Sequence, residues 1–143
     1  MAGREAVTLS LSTRARTEFV PLSERIRTEA RALLQGNGLV HVYVPHTTAA
    51  VCINEGADPD VVGDVGRVLD RLVPWKADYR HDEGNAAAHV KSILVGASVS
   101  VPVENGSMLL GRWQEIFFCE FDGPRSRSVQ ISFVRDGAAA ASR

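Results

Sequence analysis

Lysine, cysteine and long apolar runs are what this sequence has least of. Lys76 and Lys91 are its two lysines, and the remaining positive charge is arginine. Sixteen Lys and Arg against 17 Asp and Glu give a net charge of −1, with no polybasic run. That balance recommends neither nucleic acid nor an anionic membrane surface as a partner. No stretch approaches the roughly 20 apolar residues of a membrane-spanning helix. No apolar segment follows the polar start Met1 to Glu5, so a secretory signal is not expected. Cys52 and Cys119 lie in the apolar runs AAVCIN and FFCEF. They predict buried free thiols in a reducing, cytoplasmic setting, not a disulfide framework. Neither a repeat nor a linker is visible, and 143 residues suit one domain.

What is present is an ordinary globular balance of 45% apolar and 23% charged residues. Val7, Leu9 and Leu11 alternate with polar residues as in a half-buried strand. Leu22, Ile26, Ala30, Leu33 and Leu34 share one helical stripe, with Ser23 as a cap and Gly36 as the stop. Residues 38–46 form a strand with Val40, Val42 and Val44 on one face and His41 and Tyr43 on the other. A second apolar run covers residues 49–53. Asp58-Pro59 opens a helix with Val61, Val62, Val65, Val68, Leu69 and Leu72 as its buried stripe, ended by Pro74. Residues 75–84 are aperiodic and form a loop. Asn85 can cap a short helix that runs to about Val95 and closes at Gly96. Strands follow at 97–103, 108–121 and 127–134, joined by an Asn105-Gly106 hairpin turn and a turn at 122–125. The pattern predicts a single α+β domain over residues 1–135, with antiparallel sheets and about three helices. Its small residues make 136–143 a disordered tail.

Several polar groups stand out against this frame. In a regular strand His46 extends the inward row of Val40, Val42 and Val44, with the hydroxyls of Thr47 and Thr48 beside it. Asn85 and His89 share a helical face with Ser92 beyond them, whereas Lys91 lies roughly 200° round from His89. Either that helix distorts, or Lys91 serves another part of the site, or a subunit boundary separates the two. His81 and Asp82 sit in the loop that feeds this helix. Three histidines, His46, His81 and His89, suit zinc with an open coordination position, and suit magnesium poorly. No spacing matches a motif such as HExxH, and a hydrogen-bonded structural histidine is the plain alternative at each position. Asn54 and Glu55 end the second apolar run, where turn chemistry would also explain them. Asp64 and Arg67 read as a surface ion pair. Trp113 and Gln114 interrupt a strand, and Arg112, Arg125 and Arg127 could each grip phosphate.

The segments HTTAAVCINEGADPDVVGD (46–64), YRHDEGNAAAHVKSILVG (79–96) and VPVENGSMLLGRWQEIFFCEFDGPRSR (101–127) together resemble the YjbQ family, sometimes labelled secondary thiamine-phosphate synthase. The resemblance spans nearly the whole chain except the tail. It implies a compact α+β domain with antiparallel sheets, assembled as a homotrimer with the site at or near the subunit interface. One departure is the short loop between His81 and Asn85, which leaves Asp82 and Glu83 as its only acids; Glu83 is not counted in the site. The implied chemistry rests on His46, Glu55, His89 and Lys91. Thr47, Thr48, Asn54, Asp82, Asn85, Trp113, Gln114 and Arg125 are the implied substrate contacts. His46, His81 and His89 are the expected ligands of a divalent metal, zinc first, with magnesium if the synthase reaction holds. The expected function is a thiamine-phosphate synthase-like enzyme acting on phosphorylated small molecules. The alternative is a non-catalytic trimeric binder of a metal or small anion.

Overall fold

The computed structural model describes residues 4–137. In chain order the elements are β1 (Arg4–Ser12), β2 (Glu18–Pro21), α1 (Ser23–Glu29), β3 (Gly38–Tyr43), β4 (Ala49–Glu55), α2 (Pro59–Leu72), α3 (Ala86–Val95), β5 (Ser98–Glu104), β6 (Ser107–Met108), β7 (Gln114–Glu120) and β8 (Ser126–Arg135). They make a five-stranded sheet ordered β1-β8-β3-β5-β6 and a three-stranded sheet ordered β2-β7-β4. Every neighbouring pair is antiparallel. This is the α+β architecture with three helices that the periodicities predict.

Strand alternation explains how the layers meet. Val40, Val42, Val101, Val103, Val129, Ile131 and Phe133 of the large sheet form one buried cluster with Ala49, Val51, Ile116 and Phe118 of the small sheet. Leu22 and Ile26 at α1 close the same cluster. On the small sheet's opposite face, Ala50, Phe117, Cys119 and Phe121 pack with Ala88 of α3, and with Val62 and Leu69 of α2 at the margin. The two faces of one three-stranded sheet therefore serve two cores, as the period of two requires.

Local signals succeed where a side chain has one available partner. Asp58 accepts the Asp60 N–H at 2.9 Å and Pro59 opens α2, as expected. Asn105 and Gly106 both have positive φ (50° and 78°), the mark of a type I′ hairpin turn. Other expectations need correction. Ser23 does not cap α1: it lies inside the helix, and its hydroxyl accepts the Ile116 N–H at 3.0 Å across the domain. Asn85 occupies the N-cap position of α3 without a side-chain cap bond. The strand expected over 108–121 is two strands in different sheets. A turn divides them, with Gln114 Oε1 accepting the Gly111 N–H at 2.7 Å and Gly111 O accepting the Gln114 N–H at 3.0 Å. β2 has no counterpart in the periodicity reading. The stripe expected to bury α2 buries none of its residues, and Leu72 stays 69% exposed. Val62 and Leu69 reach the small sheet's cluster as partly buried residues at its margin. Of the expected tail, Asp136 still donates its N–H to Asn37 O at 3.0 Å, and residues 138–143 lie outside the described residues.

Candidate functional site

The chain passes from one sheet to the other between β3 and β4 and again between β7 and β8. Because β3 pairs with β8 and β4 with β7, both crossings lie at one end of the stacked sheets. The backbone must leave regular pairing there, so polar side chains become concentrated beside unpaired main chain. Gly123 fits the tight second crossing because a Cβ on it would meet Ala15 O at 2.3 Å. The start of α3 closes the third side. A cavity of about 590 Å³ results, with His46, Thr47, Thr48, Asn85, His89, Arg125 and Arg127 in its wall. A second, largely apolar cavity of about 440 Å³ shares His46, Thr47 and His89 and adds Ala49, Ile93 and Gly96.

A buried ion pair underlies the polar cavity. Glu120 is fully buried and pairs with Arg127, whose side chain is 5% exposed. Arg127 Nε donates to Glu120 Oε1 at 2.8 Å, and its Nη2 donates to Glu120 Oε2 and, at 2.9 Å, to Thr48 Oγ1. The Thr13 hydroxyl donates to Glu120 Oε1 at 2.8 Å and the Asp122 N–H to Oε2 at 2.9 Å. Burial by itself would raise the Glu120 pKa, but bonds from Arg127, Asp122 N–H and Thr13 outweigh it and hold the carboxyl below its ordinary value. Asp122 makes a second clamp. Arg125 Nε donates to Asp122 O at 2.8 Å and its Nη2 to Asp122 Oδ2 at 2.9 Å.

His46 is half-buried, just past the end of β3. Its Nε2 takes the Ser128 N–H at 3.0 Å and sits 3.1 Å from Ser128 O, so the backbone of β8 fixes the ring and leaves Nδ1 for a ligand. Burial first, then the charge of Arg127, pushes its pKa down, so the imidazole is neutral at pH 7. Asn85 Nδ2 donates to Asp122 Oδ2 at 2.8 Å, which settles the amide's orientation because the opposite one would set oxygen against carboxylate. Asn85 Oδ1 is then a buried acceptor with no partner among the described residues.

The structure divides the expected site residues. His46, Thr47, Thr48, Asn85, His89 and Arg125 come together. Asn54, Glu55, Trp113 and Gln114 gather at the other end of the small sheet, where Glu55 pairs with Gln114 in register and Gly56 N–H donates to Trp113 O at 2.9 Å. The length of β4, about 3.3 Å per residue, separates the two groups by roughly 20 Å. Glu55 Oε2 there accepts the Asp58 N–H at 3.2 Å, the turn chemistry weighed from sequence. Lys91 diverges from His89, as helical geometry requires. It is 3% exposed and pairs with Asp70 of α2, with Nζ 5.8 Å from the Phe121 ring centroid. Asp82 is exposed and lies outside the cavity wall, whereas Glu83 is in it. Asp64 and Arg67 form the expected surface ion pair.

The histidines do not form a single ligand set in one chain. The His81 and His89 rings stand edge to face with centroids 5.3 Å apart, while His81 Nε2 lies 3.3 Å from Glu83 Oε1. His46 Nε2 is engaged by Ser128, and among the described residues no three His, Cys, Asp or Glu side chains converge as ion ligands. This donor set within one chain fits neither zinc nor magnesium. Cys52 and Cys119 are free thiols with Sγ atoms 3.5 Å apart. Three groups central to the site were not singled out from sequence: Glu120, Asp122 and Thr13. A signal for the first existed, since Glu120 is a carboxylate in an otherwise apolar strand end, FFCEF, with Arg127 seven residues on.

Stacked antiparallel sheets with a His- and Arg-lined crossover cavity define an α+β domain of the YjbQ type. A family model described as UPF0047 protein YjbQ-like matches residues 7–136, and the chain belongs to this family. UPF0047 protein YugU of Bacillus subtilis is 48% identical over 132 residues, covering 89% of this chain and 97% of that protein. A UPF0047 protein of Methanocaldococcus jannaschii is 42% identical over 126 residues, covering 88% and 91%. A crystal structure of a YjbQ/UPF0047 family protein from Clostridium acetobutylicum, 41% identical, has a TM-score of 0.87 and covers 90% of this chain and 99% of that one. A YbjQ-like protein from Sulfolobus solfataricus reaches a TM-score of 0.88 at 26% identity, covering 94% and 99%. No helix of the described residues is long and apolar enough to cross a membrane.

Proposed function

We propose that this protein is an enzyme acting on a small phosphorylated molecule. The reaction to assay first is the joining of a pyrimidine pyrophosphate to a thiazole phosphate, with release of pyrophosphate, to give thiamine phosphate. The observation that carries the reading is the convergence of His46, His89, Thr47 and Arg125 on one cavity of about 590 Å³. Loss of pyrophosphate from a benzylic-type carbon, followed by thiazole attack, needs stabilisation of a leaving anion more than a strong nucleophile. Arg125 and the Thr47 hydroxyl supply donors for that anion. His46, neutral and with Nε2 accepting the Ser128 N–H, carries its proton on Nδ1 and can donate it to a ligand oxygen. Lys91 and Glu55 lie outside this cavity in one chain and take no part in this scheme.

The test is a purified-enzyme assay with both substrates, paired with rescue of a bacterium lacking its own thiamine-phosphate synthase. Turnover that disappears in a folded His89→Ala variant supports the enzyme. Thermal stabilisation by the substrates without turnover leaves a non-catalytic anion binder. No rescue, no turnover and no stabilisation together refute the reading.

The same reading includes a homotrimer, supported by an inversion of polarity in α3. Lys91 is buried while Ile93 and Leu94 are 82% and 59% exposed. Contiguous apolar exposure of this kind suits burial against further copies of the chain. Light scattering should return three times the chain mass of 15.5 kDa, and a monomer at micromolar concentration refutes this part.

A further inference from the structure

We infer that Arg125 and Arg127 form a two-guanidinium clamp for a terminal phosphate group, with Asp122 and Glu120 as the residues that position it. The inference rests on the phosphorylated-ligand reading above and names the group by which the ligand is held.

Each arginine is used in the same way. Arg127 commits Nε and Nη2 to Glu120 and Thr48, and Arg125 commits Nε and Nη2 to Asp122. Among the described residues neither Nη1 has a hydrogen-bond partner, so each planar fork presents one unused edge. Both side chains line the same cavity. They stand two residues apart, Arg125 just before β8 and Arg127 as its second residue. Arg127 is held far more firmly than a surface arginine, with its carboxylate partner fully buried and its own side chain 5% exposed. Fold stability is a weak reason for such a pair, since an apolar pair of similar volume commonly serves as well. A fixed, partly dehydrated guanidinium edge in a cavity wall is a better reason. The charge of Arg127 reaches His46 in the same wall, where, after burial, it is one of the causes that hold the imidazole pKa down.

The carboxylates also shape what is selected. Glu120 and Asp122 offset the two formal charges, so recognition depends on the number and direction of acceptor oxygens more than on bulk charge. Two Nη1 groups offer four N–H donors. A phosphomonoester end offers three free oxygens arranged tetrahedrally, so each guanidinium takes its own oxygen and one remains for the Thr47 hydroxyl. A phosphodiester or carboxylate offers two.

Titration calorimetry on the full chain at fixed ionic strength tests this with methyl phosphate, dimethyl phosphate and acetate as probes. Methyl phosphate should bind, with dimethyl phosphate and acetate at least about tenfold weaker, which is about 1.4 kcal/mol. Arg125→Gln should weaken methyl phosphate by a similar factor. Arg127→Met could leave Glu120 stranded and fail to fold, so it is combined with Glu120→Leu; this double variant should fold and lose methyl phosphate binding. Asp122→Ala should lower the preference for monoester over diester, whereas a merely structural role would scale both affinities alike. Methyl phosphate affinity unchanged in both folded arginine variants overturns the clamp, as does a wild-type protein that binds no methyl phosphate. In either case the enzyme reading stands or falls separately, on turnover of the pyrophosphate and thiazole substrates.

Discussion

Removing Glu120 by itself should harm this fold far more than removing Glu120 and Arg127 together. Glu120→Leu leaves a guanidinium whose side chain is 5% exposed without its carboxylate, strips the acceptor from the Asp122 N–H, and leaves the Thr13 hydroxyl only the longer contact to Arg125 O at 3.2 Å. An uncompensated buried charge of this kind destabilises by about 3–5 kcal/mol. With a urea dependence of about 1–3 kcal/mol per molar, the unfolding midpoint should fall by roughly 1–5 M. The double variant Glu120→Leu with Arg127→Met removes both charges and refills the space, and should recover most of that loss. What it does not recover is the pair of donors at Thr13 and Asp122, about 1 kcal/mol each. The assay is urea unfolding at pH 7 and one fixed protein concentration, followed by circular dichroism for wild type, both single variants and the double. A single Glu120→Leu loss under about 1 kcal/mol, or a double variant as unstable as the sum of the singles, would refute the claim that the two charges act as a buried unit.

The same pair sets an acid limit. The Glu120 pKa is lowered in the folded state, so its contribution is complete above the unfolded value of about 4.3 and is lost as pH falls through the folded value. Wild-type unfolding midpoints should therefore drop below about pH 4 by more than those of the double variant. His46 is shifted down as well, so the unfolded chain binds its proton first and stability declines as pH falls below about 6.5. Imidazole NMR should place its midpoint under the ordinary histidine value and return it upward in the double variant, which lacks the Arg127 charge; no upward movement would refute that cause. Ile93→Asp changes a side chain that is 82% exposed in one chain, so it should alter single-chain stability by no more than about 0.5 kcal/mol. If α3 is buried between copies, light scattering should show that the variant no longer assembles; an unaltered oligomer refutes that placement of the interface.

Much of the fold was legible without coordinates because it is written in short-range chemistry. Alternation of Val40, Val42 and Val44 places β3, the Asp58-Pro59 cap starts α2, and Asn105-Gly106 turns β5 into β6. The family resemblance is of the same kind, since it rests on residues read in order. Period and capping failed where the partner was distant. Ser23 has the residue type of a helix cap and instead bonds residue 116, and the α2 stripe is at most partly buried. Half of the site was readable for the same reason: His46 with Thr47 and Thr48, and Asn85 with His89, are local groupings that survive folding.

Strand order decided the rest. Pairing β3 with β8 brings His46 to Ser128 across 82 positions, pairing β1 with β8 helps bring Thr13 to Glu120 across 107, and no periodicity encodes which strands become neighbours. The same arrangement stretches β4 between the two expected halves of the site, so Glu55 and Trp113 end far from the histidines they were grouped with. It also turns Lys91 toward Asp70 and buries Glu120 beneath Arg127. By itself the sequence determined which residues could do chemistry, because side-chain type and local spacing are properties of the chain. Which of them act together was left to the tertiary structure, because burial and long-range pairing choose a polar group's partner only once the sheets have stacked.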